Sequence, residues 1–338
     1  MTSRHGLANI GNTCYLNSAF QALARSKPFM DYFGKEAWKE HRHPDRNGYD
    51  MTGHAAELVA ALHAPGDKML IPSKFVRAFM EFAHEINDEI RPGAQADAAE
   101  AVQILLDGLH MQQSREVRMQ LTGAATTPEQ HALIKSLESW ATFFRKEYSP
   151  LIEHFYGQTQ TTVICAACKT SSTRYEPWGV LKLPIPGADK PGNPAPSLDE
   201  CFVAAVAAET LDDYSCSACN KKGPAAMTHA ISRFPRHMIV SLKRFTNSGS
   251  KVRARIAYDP NNIDVNVHRA WPTIQGSAKY RVISTVEHMG SNRGGHYCMR
   301  TREETKGEWL VYDDARCGPS PFGGDAGPDT YMLFLELL

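Results

Sequence analysis

Apolar residues recur at helical spacing through the first half of this chain and alternate as strands do through the second. Leu16, Phe20 and Leu23 fall at i, i+4 and i+7, which predicts a helix capped by Asn12 or Thr13 and ending near Lys27-Pro28. Residues 41–53 are polar and read as loop. A second stripe, Phe75, Phe79, Phe82 and Ile86, follows Ser73, and a third, Val102, Leu105, Leu106 and Leu109, follows Asp97-Ala98-Ala99-Glu100. Leu133, Leu137, Trp140 and Phe144 predict a helix over 128–148. After Pro150 the texture changes: 159–163, 180–183, 238–245, 280–286, 309–312 and 331–335 read as strands, with Gly/Pro-rich loops at 184–196 and 318–328. The class is therefore α+β, helices first and strands after, with a cleft where the halves meet.

Two short segments, one in each half, carry candidate chemistry. Gly6-Leu7-Ala8-Asn9-Ile10-Gly11-Asn12-Thr13-Cys14 puts a thiol at the mouth of the first helix, where the macrodipole and unpaired N–H groups favour a thiolate. Gly294-Gly295-His296-Tyr297, followed by Trp309-Leu310-Val311-Tyr312-Asp313-Asp314, supplies an imidazole and, across an antiparallel pair, a carboxylate to orient it. Asn9 and the Cys14 N–H are candidate donors to an oxyanion. A lone cysteine at a helix start is usually a small buried hydrophobe, and a lone histidine after two glycines a turn residue. Their joint occurrence, in this order, points to a thiol peptidase.

The eight cysteines add a second site. Cys165-Ala-Ala-Cys168 and Cys216-Ser-Ala-Cys219 are two chelating knuckles, together the four thiolates of one structural Zn2+, capping two neighbouring hairpins. A disulfide framework does not fit this spacing. Cys298, two residues past His296, is a further thiol close to the candidate site in sequence.

Composition works mainly by exclusion. The chain has 338 residues, 42% hydrophobic and 22% charged, with Lys+Arg and Asp+Glu equal at 37 each. No global field points to nucleic acid or a membrane surface. The start, Met-Thr-Ser-Arg-His, has no apolar leader, and no membrane-spanning apolar run is present. An intracellular protein, cytoplasmic or nuclear, is the expectation, and a monomer, because nothing signals oligomerisation.

The residues around Cys14 resemble the cysteine box of the ubiquitin-specific proteases, and those around His296 and Asp313-Asp314 resemble that family's histidine box. Gln95-Ala96-Asp97-Ala98-Ala99-Glu100 and Ser241-Leu242-Lys243-Arg244-Phe245 are similar to its intervening motifs and Tyr331-Met332-Leu333-Phe334 to its closing strand, so the likeness spans residues 6 to about 335. It implies a papain-like cysteine peptidase fold in one catalytic domain, 1–338: a helical thumb to about 150, zinc-binding β fingers over 151–235 and a β palm over 236–338. It implies Cys14 as nucleophile, His296 as base, Asp313 as third member with Asp314 assisting or substituting, and Asn9 at the oxyanion. No cofactor is expected for the chemistry itself.

The substrate implied is ubiquitin, whose Gly-Gly end suits a channel bounded by Gly294 and Gly295. Asp97 matches the position that holds the basic tail, although Asp97 and Glu100 also form a plain helix-capping pair. Gln95 is a partner for the nucleophile loop or for the tail backbone. Two departures from the pattern, Ala96 for a second glutamine and Ala101 for an aromatic, bear on substrate affinity. A catalytically silent ubiquitin-binding module, or the same chemistry on a ubiquitin-like modifier, are the competing readings.

Overall fold

The computed structural model describes residues 3–43, 50–187, 195–246, 248–268, 270, 278–303, 307–320 and 326–338. The loops read at 41–53, 184–196 and 318–328 lie partly outside these. The first half is helical: α1 (Cys14–Ala24), α2 (Lys27–Gly34), α3 (Met51–His63), α4 (Ser73–Ile86), α5 (Ala98–Met111), α6 (Pro128–Phe144) and α7 (Pro150–Phe155). Every residue of α1 is buried. It is the axis of the larger core, with Phe20 packed against Phe29 and Phe75. A helix buried on all sides belongs in such a place, its polar Asn17 and Gln21 reaching backbone carbonyls.

The chain then builds β1 (Gly157–Cys165), β2 (Ser171–Trp178), β3 (Val180–Leu183), α8 (Leu198–Ala205), β4 (Glu209–Ser215), β5 (Lys222–Arg233) and β6 (His237–Leu242). It ends with β7 (Ile263–Asp264), β8 (Lys279–Ser291), β9 (Gly294–Arg302), β10 (Trp309–Asp313), β11 (Arg316–Pro319) and β12 (Thr330–Leu337). Two sheets result. A small one has the order β2-β1-β5-β4, and a large one runs β11-β10-β9-β8-β12-β6-β3 with β7 beside β8. β3 lies within residues 151–235 yet joins the large sheet, parallel to β6.

Four expectations are corrected. α1 ends at Ala24, ahead of Lys27-Pro28, and Pro28 sits in the first turn of α2, where its missing N–H costs nothing. The polar stretch ends inside α3, whose N-cap Asp50 accepts from the Gly53 N–H. The stretch read as loop from 318 overlaps β11, which pairs with β10 around the Asp314-Ala315 turn. The strand expected to reach Phe245 ends at Leu242, because Arg244 turns inward and is fully buried. Its guanidinium donates to the carbonyls of Val252 (3.0 Å), Ala254 (2.9 Å), Gly327 (2.8 Å) and Thr330 (2.5 Å), stitching the strand end to the loops around β12.

Candidate active site and metal centre

Cys14 opens α1, and that helix packs against β9. Its thiol is buried, and the backbone N–H of Tyr297 donates to Sγ. Burial pushes the thiol above its ordinary value; the Tyr297 N–H pulls it back, and the charge of Asp314 adds to the rise. His296, next to Tyr297 and half-exposed, has Nε2 2.5 Å from Asp313 Oδ1, leaving Nδ1 as its second functional nitrogen. Asp313 ends β10, the antiparallel neighbour of β9, as the spacing predicts.

Asp314 does something else. It occupies the left-handed region, φ 49°, and aims its carboxylate at the nucleophile loop. Oδ2 accepts from Asn9 Nδ2 at 2.9 Å and Oδ1 from Asn17 Nδ2 at 2.8 Å. Asn9 Oδ1 accepts from the N–H groups of Thr13 (3.1 Å) and Gly11 (3.3 Å). Donors on one side and a carboxylate on the other allow that amide only one orientation. Thr13 occupies the N-cap position of α1, but its side chain makes no capping bond; Asn9 supplies one in its place.

The substrate candidates line a cleft of about 410 Å³ that also includes Glu100, Phe245, His288 and Tyr297. Asp97 Oδ1 caps α5 through the N–H groups of Ala99 (2.8 Å) and Glu100 (3.0 Å), while Oδ2 accepts from the Tyr331 hydroxyl. Glu100 does not complete a capping box; it accepts from Asn87 Nδ2 at 2.8 Å. Gln95 bonds to the backbone of Gly295. A side chain at Gly295 would run into His288 and the Met289 carbonyl, and one at Gly294 would meet Gln95 Oε1 at 2.8 Å. Both glycines therefore have packing reasons of their own. His288 is buried, which pushes its imidazole down to about 4.

Asn17, Tyr331 and His288 were missed in the sequence. Asn17, a polar residue within a mainly apolar helix, was the one legible signal, because a buried amide needs partners. Cys298 is buried opposite Glu287 in the β8–β9 ladder, and burial pushes its thiol up to about 12, which suits packing rather than reactivity.

The four finger cysteines meet at the tips of the β1–β2 and β4–β5 hairpins, their sulfurs all within 4.8 Å of one another. None is in a disulfide. The knuckles share one geometry. Lys169 and Asn220, each just past the second cysteine, are left-handed at φ 59° and 55°. Each donates its N–H to the first cysteine's carbonyl at 2.9 Å. The Cys168 and Cys216 sulfurs are 3.7 Å apart. Tetrahedral Zn–S bonds of about 2.3 Å would separate the sulfurs by about 3.8 Å, so the set fits one zinc ion.

The sequence model of the family described as ubiquitin carboxyl-terminal hydrolase matches residues 5–334. Ubiquitin carboxyl-terminal hydrolase 21 of Bos taurus is 27% identical over 353 residues, covering 98% of this chain and 61% of that protein. Ubiquitin carboxyl-terminal hydrolase 5 of Saccharomyces cerevisiae is 28% identical over 364 residues, with 98% and 44% covered. The chain thus spans about three fifths or less of these curated relatives. Among solved structures, the SAGA DUB module Ubp8/Sgf11/Sus1/Sgf73 bound to monoubiquitin aligns with TM-score 0.70 at 20% identity, over 98% of this chain and 69% of that one. At that identity the likeness establishes the fold: mixed helix and sheet, as in that deubiquitinase.

Proposed function

The chain belongs to the ubiquitin carboxyl-terminal hydrolase family, and from that premise we propose that it is a thiol isopeptidase cleaving after the C-terminal Gly-Gly of ubiquitin. The observation that carries this reading is the His296–Asp313 contact at 2.5 Å on the strand whose next N–H donates to the Cys14 sulfur.

In the forward half-reaction Cys14 Sγ attacks the glycine carbonyl carbon while its proton passes to His296. Asp313 holds the imidazole in the tautomer that accepts it and stabilises the imidazolium. The negative charge on the carbonyl oxygen falls to Asn9 Nδ2, one of whose hydrogens remains after bonding Asp314, and to the Cys14 N–H. His296 returns the proton to the departing lysine amine, leaving a thioester on Cys14. Water, deprotonated by His296, then attacks the thioester and releases ubiquitin's carboxylate and the free thiol.

Residues 1–150, 151–235 and 236–338 serve as thumb, fingers and palm, with β3 reaching from the middle segment into the palm sheet. Cys165, Cys168, Cys216 and Cys219 hold one zinc ion, which supplies structural cross-linking and takes no part in the steps above. Asp97, with Gly294 and Gly295 opposite, bounds the path of ubiquitin's basic tail. Cys14, His296, Asp313 and Asn9 come from one chain, so the site needs no second copy, which is compatible with an enzyme acting as a monomer in the cytoplasm or nucleus.

The test is incubation with ubiquitin carrying an electrophile at its C-terminus. A covalent adduct is expected, absent in Cys14→Ala. Tight binding without an adduct would make the protein a silent ubiquitin-binding module, and reaction only with another modifier would move the specificity.

A further inference from the structure

β10 pairs with β9 only as far back as Met299, so among the described residues the outer edge of β9 at 294–298 has no neighbouring strand. An open edge leaves N–H and C=O groups in want of partners. At Gly295 both are met by one side chain. Its N–H donates to Gln95 Oε1 at 3.1 Å, and its C=O accepts from Gln95 Nε2 at 3.0 Å. This is the pairing an adjacent strand would give. Two residues on, along the same edge, the Tyr297 N–H donates to the Cys14 sulfur. His296 lies between these two attachments.

Both partners belong to the helical half. Gln95 leads into α5, and Cys14 begins α1. The Gln95 segment is itself braced on the nucleophile loop, where Asn12 Nδ2 donates to the Gly93 carbonyl at 2.7 Å. The bonded peptide has little slack, with His288 and Met289 behind Gly295 and Gln95 in front. We infer that Gln95 is a positioning residue: its carboxamide fixes the strand carrying His296 against the helix carrying Cys14, rather than contacting substrate. The inference rests on the Cys14–His296 pair of the proposed mechanism but not on the identity of the modifier.

Gln95→Ala deletes the attachment, and Gln95→Glu keeps the length but sets a carboxylate oxygen against the Gly295 carbonyl. Two measurements separate positioning from binding. One is carbamidomethylation of Cys14 by iodoacetamide as a function of pH, read by mass spectrometry of the Cys14 peptide, without substrate. The other is kcat and KM on a fluorogenic C-terminal amide of ubiquitin.

Both variants should move the alkylation profile of Cys14 up by about one pH unit, because the imidazole is less well placed to stabilise the thiolate. They should lower kcat by on the order of 10²-fold, as a small misplacement of reacting groups does. KM should stay within about threefold. The bonds are exposed at the cleft wall, so the thermal midpoint should move by less than about 3 °C. An unmoved alkylation profile overturns the inference, whether KM rises tenfold, which would make Gln95 a tail-binding residue, or nothing changes. The alkylation readout needs no ubiquitin. Failure of the unsubstituted protein to cleave the ubiquitin amide therefore strikes the proposed function alone.

Discussion

Asp314 acts on Cys14 in two opposed ways. Its charge raises the thiol's pKa, which costs thiolate at any given pH, while its carboxylate holds Asn9, the proposed oxyanion donor, in one orientation. Asp314→Asn separates the two effects. Loss of the negative charge lowers the thiol's pKa, so alkylation of Cys14 should speed up at fixed pH below that pKa. The same substitution leaves one acceptor oxygen where Asn9 and Asn17 use two and sets an NH2 against the other amide, so turnover should fall. Removing an oxyanion donor outright costs roughly 10²–10³ in kcat, and misorienting one should approach the lower end. Faster alkylation with slower turnover is the expected signature. A fall in both would return Asp314 to the histidine's side, as a substitute for Asp313.

The element that carries Asp313 and Asp314 is the β10–β11 hairpin, and it rests on Gly6. The Leu7 N–H donates to the Asp314 carbonyl at 2.9 Å, and a side chain at position 6 would run into the carbonyls of Asp314 and Ala315. Gly6→Ala should therefore lift the turn, costing about 1–3 kcal/mol of stability by overpacking and reducing turnover although residue 6 touches no reacting group. Thermal melting together with kcat checks this, and an unchanged kcat in a folded variant would show that the turn is not held from below. How far such elements could be read in advance depended on burial. α4 and α5 were legible because each turns an apolar stripe to the core, although Ile86 at the end of α4 is exposed, and α6 because Trp140 and Phe144 anchor a half-buried stripe; the strands around β6, β8 and β12 were legible because they are rich in Val, Ile, Leu and Tyr. β2 and β4 were not: they edge the small sheet, are largely exposed, and so carry polar sequences without alternation. α3 was missed because its apolar face is built largely of Ala and Gly beside Met51, Leu58, Val59 and Leu62. In the site, the motif residues were legible by type and spacing. The links Asn17–Asp314 and Tyr331–Asp97 were not, since each joins positions 297 and 234 residues apart that only the folded sheet brings together.

Across the whole molecule, the two clusters of chemistry depend on different parts of the fold. The Cys14 site is set between the large core and β9, whereas the four cysteines sit at the far ends of two hairpins in the small sheet. Around the knuckles the hairpins are polar and largely exposed, so little apolar burial holds the two tips together. The zinc ion proposed there would replace the missing core, and its binding free energy would become local folding free energy. Chelation, or Cys168→Ser, should therefore loosen the tips without unfolding the helical half. Ubiquitin's globular body would lose part of its platform, and KM for ubiquitin substrates should rise by about tenfold or more. The rate and pH profile of Cys14 alkylation, which report on α1, β9 and their contacts, should stay as they were. Hydrogen exchange should quicken over 157–178 and 209–233 and remain slow along α1. Loss of Cys14 reactivity on chelation would mean that the fingers brace the catalytic cleft directly.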